Sequence, residues 1–225
     1  MVHYYIVRHG ETEYNKRRLV QGAYDSRLTE SGRTQAEQMG KKLRDVRFDL
    51  VVTGGQGRQI ETANRILSQN EAARMVRFIP LSGFREQNYG IFDGKPESDY
   101  MRQVAEELSK TIGKPAAGID PYKMIRNEEI SMVEMSRIAA RIDYTHQTET
   151  LEKLYDRSMA SFGELEKKLT AENSNVLLVS SGNILSAFLY KLTGDERCAY
   201  RMHHGALTVL TQSEGTYKIE KWNEL

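Results

Sequence analysis

Val2-His3-Tyr4-Tyr5-Ile6-Val7-Arg8-His9-Gly10-Glu11-Thr12-Glu13-Tyr14-Asn15 is the stretch that decides the fold, because a β-type apolar run ends abruptly in an arginine, a histidine and a glycine. Val2, Tyr4, Tyr5, Ile6 and Val7 are β-branched or aromatic and nearly unbroken, as expected of a strand buried on both faces of a parallel sheet. In an α/β sheet the ligand crevice lies outside the carboxyl ends of the strands, so this strand delivers Arg8, His9 and Gly10 to it. Gly10 permits a tight turn, and Thr12 and Asn15 offer polar groups beside the imidazole. Arg8 is a planar, permanently charged fork suited to phosphoryl oxygens, and His9 is an imidazole able to attack phosphorus. A lone Arg-His pair is ordinarily a polar strand end. A site requires that other parts of the chain converge on it.

Length and composition bound what those parts can be. The 225 residues suffice for one α/β domain with a sizeable core, so a single domain over 1–225 is expected, with 96–148 as a helical insertion. Lys and Arg total 32 against 31 Asp and Glu, a net charge of +1 that gives no general attraction for nucleic acid or an anionic membrane. Any anion site must therefore be local. The single Cys198 excludes an intrachain disulfide and a multi-cysteine zinc site, and the five His are scattered, so no metal and no other cofactor is expected. The first strand begins almost at Met1 with no signal-peptide pattern, and no apolar run approaches the ~20 residues of a membrane span. A cytoplasmic location is the expectation.

The convergence comes from four further stretches. Lys16, Arg17 and Arg18 lead to Gln21-Gly22, a basic loop that either guides a phosphorylated substrate or is solvated surface, and the three charges alone favour surface. Asn15 and Gln21 are nonetheless candidates for a phosphate site. A helix follows, with Thr29 as its N-cap, Glu30 set against the helix dipole, and Ala36, Met39, Leu43 and Val46 on one face. Asp49–Thr53 reads as a second buried strand that runs into Gly54-Gly55-Gln56-Gly57 and Arg58, before a helix over Gln59–Leu67. Glycines that admit an anion close to the backbone, a helix N-terminus and an arginine make this a second phosphate-gripping element. Beyond a third strand, Val76–Pro80, the irregular segment Phe84–Lys95 carries Glu86. In a crevice lined by Phe84, Tyr89 and Phe92, this carboxyl is expected to have a raised pKa and to act as a general acid.

From Pro96 to about Thr148 apolar residues recur at helical spacing amid dense mixed charge, and Lys110, Lys114, Lys123 and Arg126 read first as a solvated helix face. A long helix over Thr150–Thr170 is predicted next. A buried strand over Val176–Ser180 then leads into Ser181-Gly182-Asn183 and the helix Ile184–Leu192. Two strands, Ala206–Thr211 and Tyr217–Trp222, close the chain around Gly215, with His203 and His204 just before them.

Arg-His-Gly-Glu-Thr-x-x-Asn at the first strand end resembles the opening of the histidine phosphatase superfamily, also called phosphoglycerate mutase-like. Asp25, Leu28, Thr29, Gly32, Gln35 and Ala36 continue that pattern, as do Arg58, Glu61, Thr62 and Ala63, and then Glu86, Gly90 and Gly94, all in the right order. The resemblance implies a three-layer α/β sandwich, a mostly parallel sheet with helices on both faces and a helical insertion. It also implies that His9 attacks a phosphate monoester of a small metabolite to give a phosphohistidine that water hydrolyses. Arg8 and Arg58 would neutralise the phosphoryl oxygens, and Glu86 would protonate the leaving alcohol and help activate water. A homodimer is compatible with all of this.

Two positions depart from the family pattern. Gly54 stands where a second serine is usual, and Ser181 stands where the family has the second catalytic imidazole, in Ser-His-Gly. Ser181 remains a candidate phosphate contact, but losing a donor of this kind typically costs roughly 10²–10³ in rate. An enzyme naturally weakened or repurposed, a non-catalytic phosphate-ligand-binding pseudoenzyme and an engineered substitution all account for it. The phosphatase branch fits better than phosphoglycerate mutase, because the longer mutase version of the opening motif is absent while Gln-Gly-x-x-Asp-x-x-Leu-Thr is phosphatase-like. His204 lies in a turn that resembles the family's Asn-x-Ser-type turn, and its own reading is that of a surface or turn histidine.

Overall fold

The strand expected at the amino terminus is β1, Val2–Arg8, in a computed structural model that describes residues 1–72, 76–127, 129–171, 173–199 and 202–225. In chain order there follow α1 (Glu13–Lys16), α2 (Glu30–Lys42), β2 (Leu50–Thr53), α3 (Gly57–Ser68), β3 (Arg77–Pro80), α4 (Glu97–Ile112), α5 (Pro121–Arg126) and α6 (Met132–Ile142). After these come α7 (Leu151–Glu166), β4 (Ser174–Ser180), α8 (Gly182–Thr193), β5 (Leu207–Ser213) and β6 (Thr216–Glu224). No helix among the described residues is long and apolar enough to cross a membrane.

The six strands form one sheet in the order β3-β2-β4-β1-β5-β6. β1 pairs parallel with β4, β4 with β2 and β2 with β3, whereas β5 and β6 add an antiparallel edge. Register matters for function here. Arg8 lies opposite Ser180, and Thr53 lies opposite Val179. Three parallel strands thus end at the same level, and the residues that follow them share one edge of the sheet.

The alternating pleat of β1, covered on both faces, explains why its sequence is apolar at nearly every position before Arg8. Tyr4 and Ile6 join a cluster with Phe162 and Leu165 of α7 and Leu185 and Phe188 of α8. Val7, with Tyr5 packed against it, joins another with Met39 of α2, Leu43, and Ala63 and Ile66 of α3. Tilted aromatic pairs join the first cluster, Tyr4 with Phe162 at 5.2 Å and Phe162 with Phe188 at 5.0 Å between centroids. Helices therefore cover both faces, and each fully buried large apolar side chain contributes about 1.5–3 kcal/mol. Thr29 caps α2 as expected, its Oγ1 accepting from Gly32 N at 3.0 Å.

The chain divides into two compact units. The first comprises Met1–Glu13, Asp25–Glu86 and Tyr155–Leu225, and holds the sheet. The second comprises Tyr14–Tyr24 and Gln87–Leu154, so it contains the helical stretch 96–148 together with 14–24, 87–95 and 149–154. It has its own core of Val20, Phe92, Tyr100, Val104, Leu108, Ile130, Met135 and Ile138. Within it, residues 14–24 are fastened to 87–96: Val20 N donates to Lys95 O at 2.8 Å, and Gly94 N to Val20 O at 2.9 Å. The buried carboxylate of Asp93 accepts from the N–H groups of Gly22 (2.6 Å), Ala23 (3.1 Å) and Tyr89 (3.1 Å).

Candidate active site

His9 sits one residue past β1, where its own N–H donates to Ser180 O at 2.9 Å and so locks the strand end onto β4. The ring is buried. Its Nδ1 lies 2.8 Å from Gly10 O, an acceptor, so Nδ1 carries the proton and Nε2 holds the lone pair. Burial, then the charges of Arg58 and Arg8, hold the His9 pKa well below the ordinary histidine value. A neutral imidazole with a fixed tautomer is the nucleophilic form.

The turn after β1 is made possible by two glycines in contact. A Cβ on Gly10 would lie 2.3 Å from Gly32 O, and one on Gly32 would lie 2.0 Å from Glu11 O, so neither position tolerates a side chain. That contact sets the start of α2 directly against the His9 loop.

Arg58 enters from the end of β2. It is the second residue of α3 and is only 1 % exposed, which removes the surface-arginine reading. Nη1 donates to Asp25 Oδ1 at 2.9 Å and Nη2 to Gln56 Oε1 at 3.1 Å. Asp25 also receives the N–H of Gly57, so one carboxylate covers both the first turn of α3 and its arginine. An anion at a helix N-terminus is favoured by the unpaired N–H groups there, and Asp25 already takes that place. Arg8 is also buried; its Nη1 donates to Met202 O, and Nη2 lies 2.7 Å from His204 Nε2.

Glu86 reaches the end of the third parallel strand. Its Oε2 accepts from Asn183 N and its Oε1 from Ile184 N, both at 3.1 Å, so the carboxylate caps α8. Arg157 of α7 fixes the segment, donating to Gly83 O (2.7 Å), Arg85 O (2.8 Å) and Glu86 O (3.1 Å). Of the aromatic residues expected to line a crevice around Glu86, Phe84 turns into the core against Phe188, 5.3 Å between ring centroids. Ser181, the residue before α8, is fully buried, and its Oγ accepts from Gln59 Nε2 at 2.9 Å. Its hydroxyl takes no part in capping the helix, the task that Glu86 performs.

Two arginines, a neutral histidine and a carboxylate thus lie at or beside the ends of parallel strands, and guanidinium groups are the side chains best suited to phosphoryl oxygens. The sequence profile of the histidine phosphatase superfamily (branch 1) matches residues 4–129 and 126–225. The chain belongs to this superfamily. Among relatives of this superfamily member, fructose-2,6-bisphosphatase TIGAR B of Danio rerio is 36% identical over 107 residues, which cover 47% of this chain and 41% of that protein. The aligned stretch thus spans less than half of that relative. The phosphatase PhoE of Bacillus subtilis is 24% identical over 220 residues, 97% of this chain and 92% of that one. Among solved structures, a phosphoglycerate mutase from Bacillus anthracis superposes with a TM-score of 0.85 at 26% identity, covering 99% of this chain and 93% of that one.

Of the residues singled out in the sequence, this histidine phosphatase superfamily fold brings Arg8, His9, Arg58, Glu86 and Ser181 into the first unit, at the ends of β1, β2 and β4 and in the loop that caps α8. Asn15, in α1, and Gln21, in the loop after it, belong to the second unit. Gly54, one of the two departures from the family pattern, has a structural cause: a Cβ there would lie 2.3 Å from the backbone of Phe84 and Arg85, so a serine does not fit. Residues not picked out as site-builders include Gln56 and Gln59. Gln56 Oε1 accepts from Arg58, from Gln59 Nε2 (3.1 Å) and from Glu86 N (2.9 Å), which ties the start of α3 to the Glu86 segment. A Gln-x-x-Gln at a helix start, a relative of the capping box, was the available signal. Among the described residues no group of three or more His, Cys, Asp or Glu could hold a metal ion.

Proposed function

We propose that the protein is a metal-independent phosphomonoesterase that hydrolyses a small phosphorylated metabolite through a phosphohistidine on His9. The observation that carries this reading is the state of His9, buried and neutral, with Nδ1 tied to Gly10 O and the Nε2 lone pair under the fields of Arg8 and Arg58. In the first step Nε2 attacks phosphorus, the bond from phosphorus to the ester oxygen breaks, and the leaving alcohol takes a proton from Glu86. In the second, water attacks phosphorus, the P–N bond breaks, and the proton of that water passes to Glu86. Arg8 and Arg58 offset the charge on the phosphoryl oxygens throughout. The single Cys198 and the lack of a membrane-crossing helix among the described residues support a reducing cytoplasm.

Ser181 favours a second reading. With a neutral hydroxyl already engaged by Gln59 where the family places an imidazole, the site would bind a phosphorylated ligand and release it unchanged. Turnover of an aryl phosphate by the wild type, His9→Ala and Ser181→His separates the two. A hydrolase gives slow wild-type turnover, none in His9→Ala, and about 10²-fold more in Ser181→His, because the restored donor acts on charge that develops in transfer. Undiminished activity in His9→Ala would remove the phosphohistidine. No turnover in any of the three, with vanadate still raising the melting temperature, would establish the binder.

A further inference from the structure

The tip of Arg8 is held by two acceptors that lie far from it in sequence. Nη1 donates to the Met202 carbonyl, and Nη2 lies 2.7 Å from Nε2 of His204. A guanidinium has donors only, so His204 Nε2 is the acceptor in this contact and the proton of that neutral ring is on Nδ1. The turn that presents His204 is built on the same strand end as Arg8. Gly205 N donates to Arg8 O at 3.0 Å, Arg8 N donates to Ala206 O at 3.2 Å, and His203 N donates to Asn223 Oδ1 at 2.7 Å. Gly182 comes so close to the guanidinium that a Cβ on it would lie 3.2 Å from Arg8 Cζ. The His204 ring centroid is 5.8 Å from that of His9.

We infer that His204 is a positioning residue of the phosphoryl pocket, which fixes the plane of the Arg8 guanidinium through its Nε2 lone pair and so aims that fork at the group bound beside His9. The inference rests on the proposed role of Arg8 as a phosphoryl ligand. An arginine side chain free to rotate loses rotamer entropy each time it grips an anion, and a pre-aimed one has already met that cost in folding. A surface or turn histidine would have no reason to spend its lone pair on a buried arginine one residue from the nucleophile. The requirement is for an acceptor at the Nε2 position, and a glutamine amide oxygen, at similar reach from Cβ, supplies one.

His204→Gln and His204→Leu are therefore compared with the wild type in vanadate affinity by calorimetry and in kcat and KM on an aryl phosphate, with circular dichroism as the check on folding. His204→Leu is expected to weaken vanadate roughly 10–100-fold, the usual worth of a lost hydrogen bond to a charged group, and to raise KM more than it lowers kcat. His204→Gln should recover most of both. Equal vanadate affinity in the wild type and His204→Leu would overturn the assignment, as would a glutamine variant as impaired as the leucine one, since the imidazole itself would then be what the site needs. A wild type that binds vanadate in a His204-dependent way yet turns nothing over would defeat the hydrolase reading and leave the role of His204 standing.

Discussion

At the scale of single residues, the site is governed by what burial does to His9 and by what backbone contact does to the glycines. Folding holds the His9 ring neutral, by burial first and then by Arg58 and Arg8, so the unfolded chain binds a proton below pH about 6.5 that the folded chain does not. With the folded pKa depressed, more protons are bound in the unfolded state over that window, and stability must fall as the pH drops through it. Urea unfolding at pH 7.5 and 5.5 is expected to show a smaller loss of stability on acidification in His9→Asn than in the wild type, and an identical loss would mean that the folded ring titrates normally. The strand-end placement of Arg8, His9 and Arg58 was legible in the sequence because an apolar run that ends in charge or imidazole is visible as residue types. The sequence could not announce why Gly54 replaces a serine, since the clash is with the backbone of Phe84 and Arg85, about thirty residues away. Nor could it reveal the partner of His204, because the Arg8 contact spans 196 residues of chain.

At the scale of elements, Glu86 joins a loop to a helix. α8 is preceded by a serine whose hydroxyl is turned toward Gln59, and the Glu86 carboxylate, carried by a distant loop, satisfies the N–H groups of Asn183 and Ile184 instead. Replacing a side-chain cap by alanine costs about 0.5–2 kcal/mol, so Glu86→Ala should lose stability by this amount in denaturant unfolding as well as any acid-base function. Glu86→Gln keeps one accepting oxygen and should lose less stability while remaining as poor a catalyst. Equal stability of all three proteins would show that the cap contributes nothing. The strands and helices themselves were legible where a period was strong: Asp49–Thr53, Val176–Ser180 and Gln59–Leu67 lie within one or two residues of β2, β4 and α3. The long helix predicted to Thr170 stops at Glu166, because an apolar period says which face is buried but not where the hydrogen-bonded ladder ends. Phe84 departs from the aromatic setting expected for Glu86 for a related reason: a loop has no period, so the direction of that ring was not encoded locally.

At the scale of the whole molecule, the chain builds two compact units from interleaved segments. Helical spacing over 96–148 was readable, but the membership of 14–24 in the second unit was not, because it depends on hydrogen bonds from Val20 and Gly94 and on the buried Asp93 carboxylate rather than on any pattern within 14–24. The two cores share no residue: Tyr4, Ile6, Phe162 and Phe188 belong to the first unit, and Val104, Leu108, Met135 and Ile138 to the second. Contiguous cores of this kind tend to open as separate cooperative units. Leu108 is 2 % exposed, so Leu108→Ala removes buried methyl groups that the surrounding helices cannot fully replace, at a cost of about 2–5 kcal/mol. If the units open independently, that cost falls on the second alone. Native-state hydrogen exchange should then quicken at amides of α4 and α6 by the corresponding factor, while those of β1 and β4 exchange as in the wild type. Acceleration of equal size in the β1 and β4 amides would mean that the two units unfold as one, and the cooperative boundary would not follow the division of the cores.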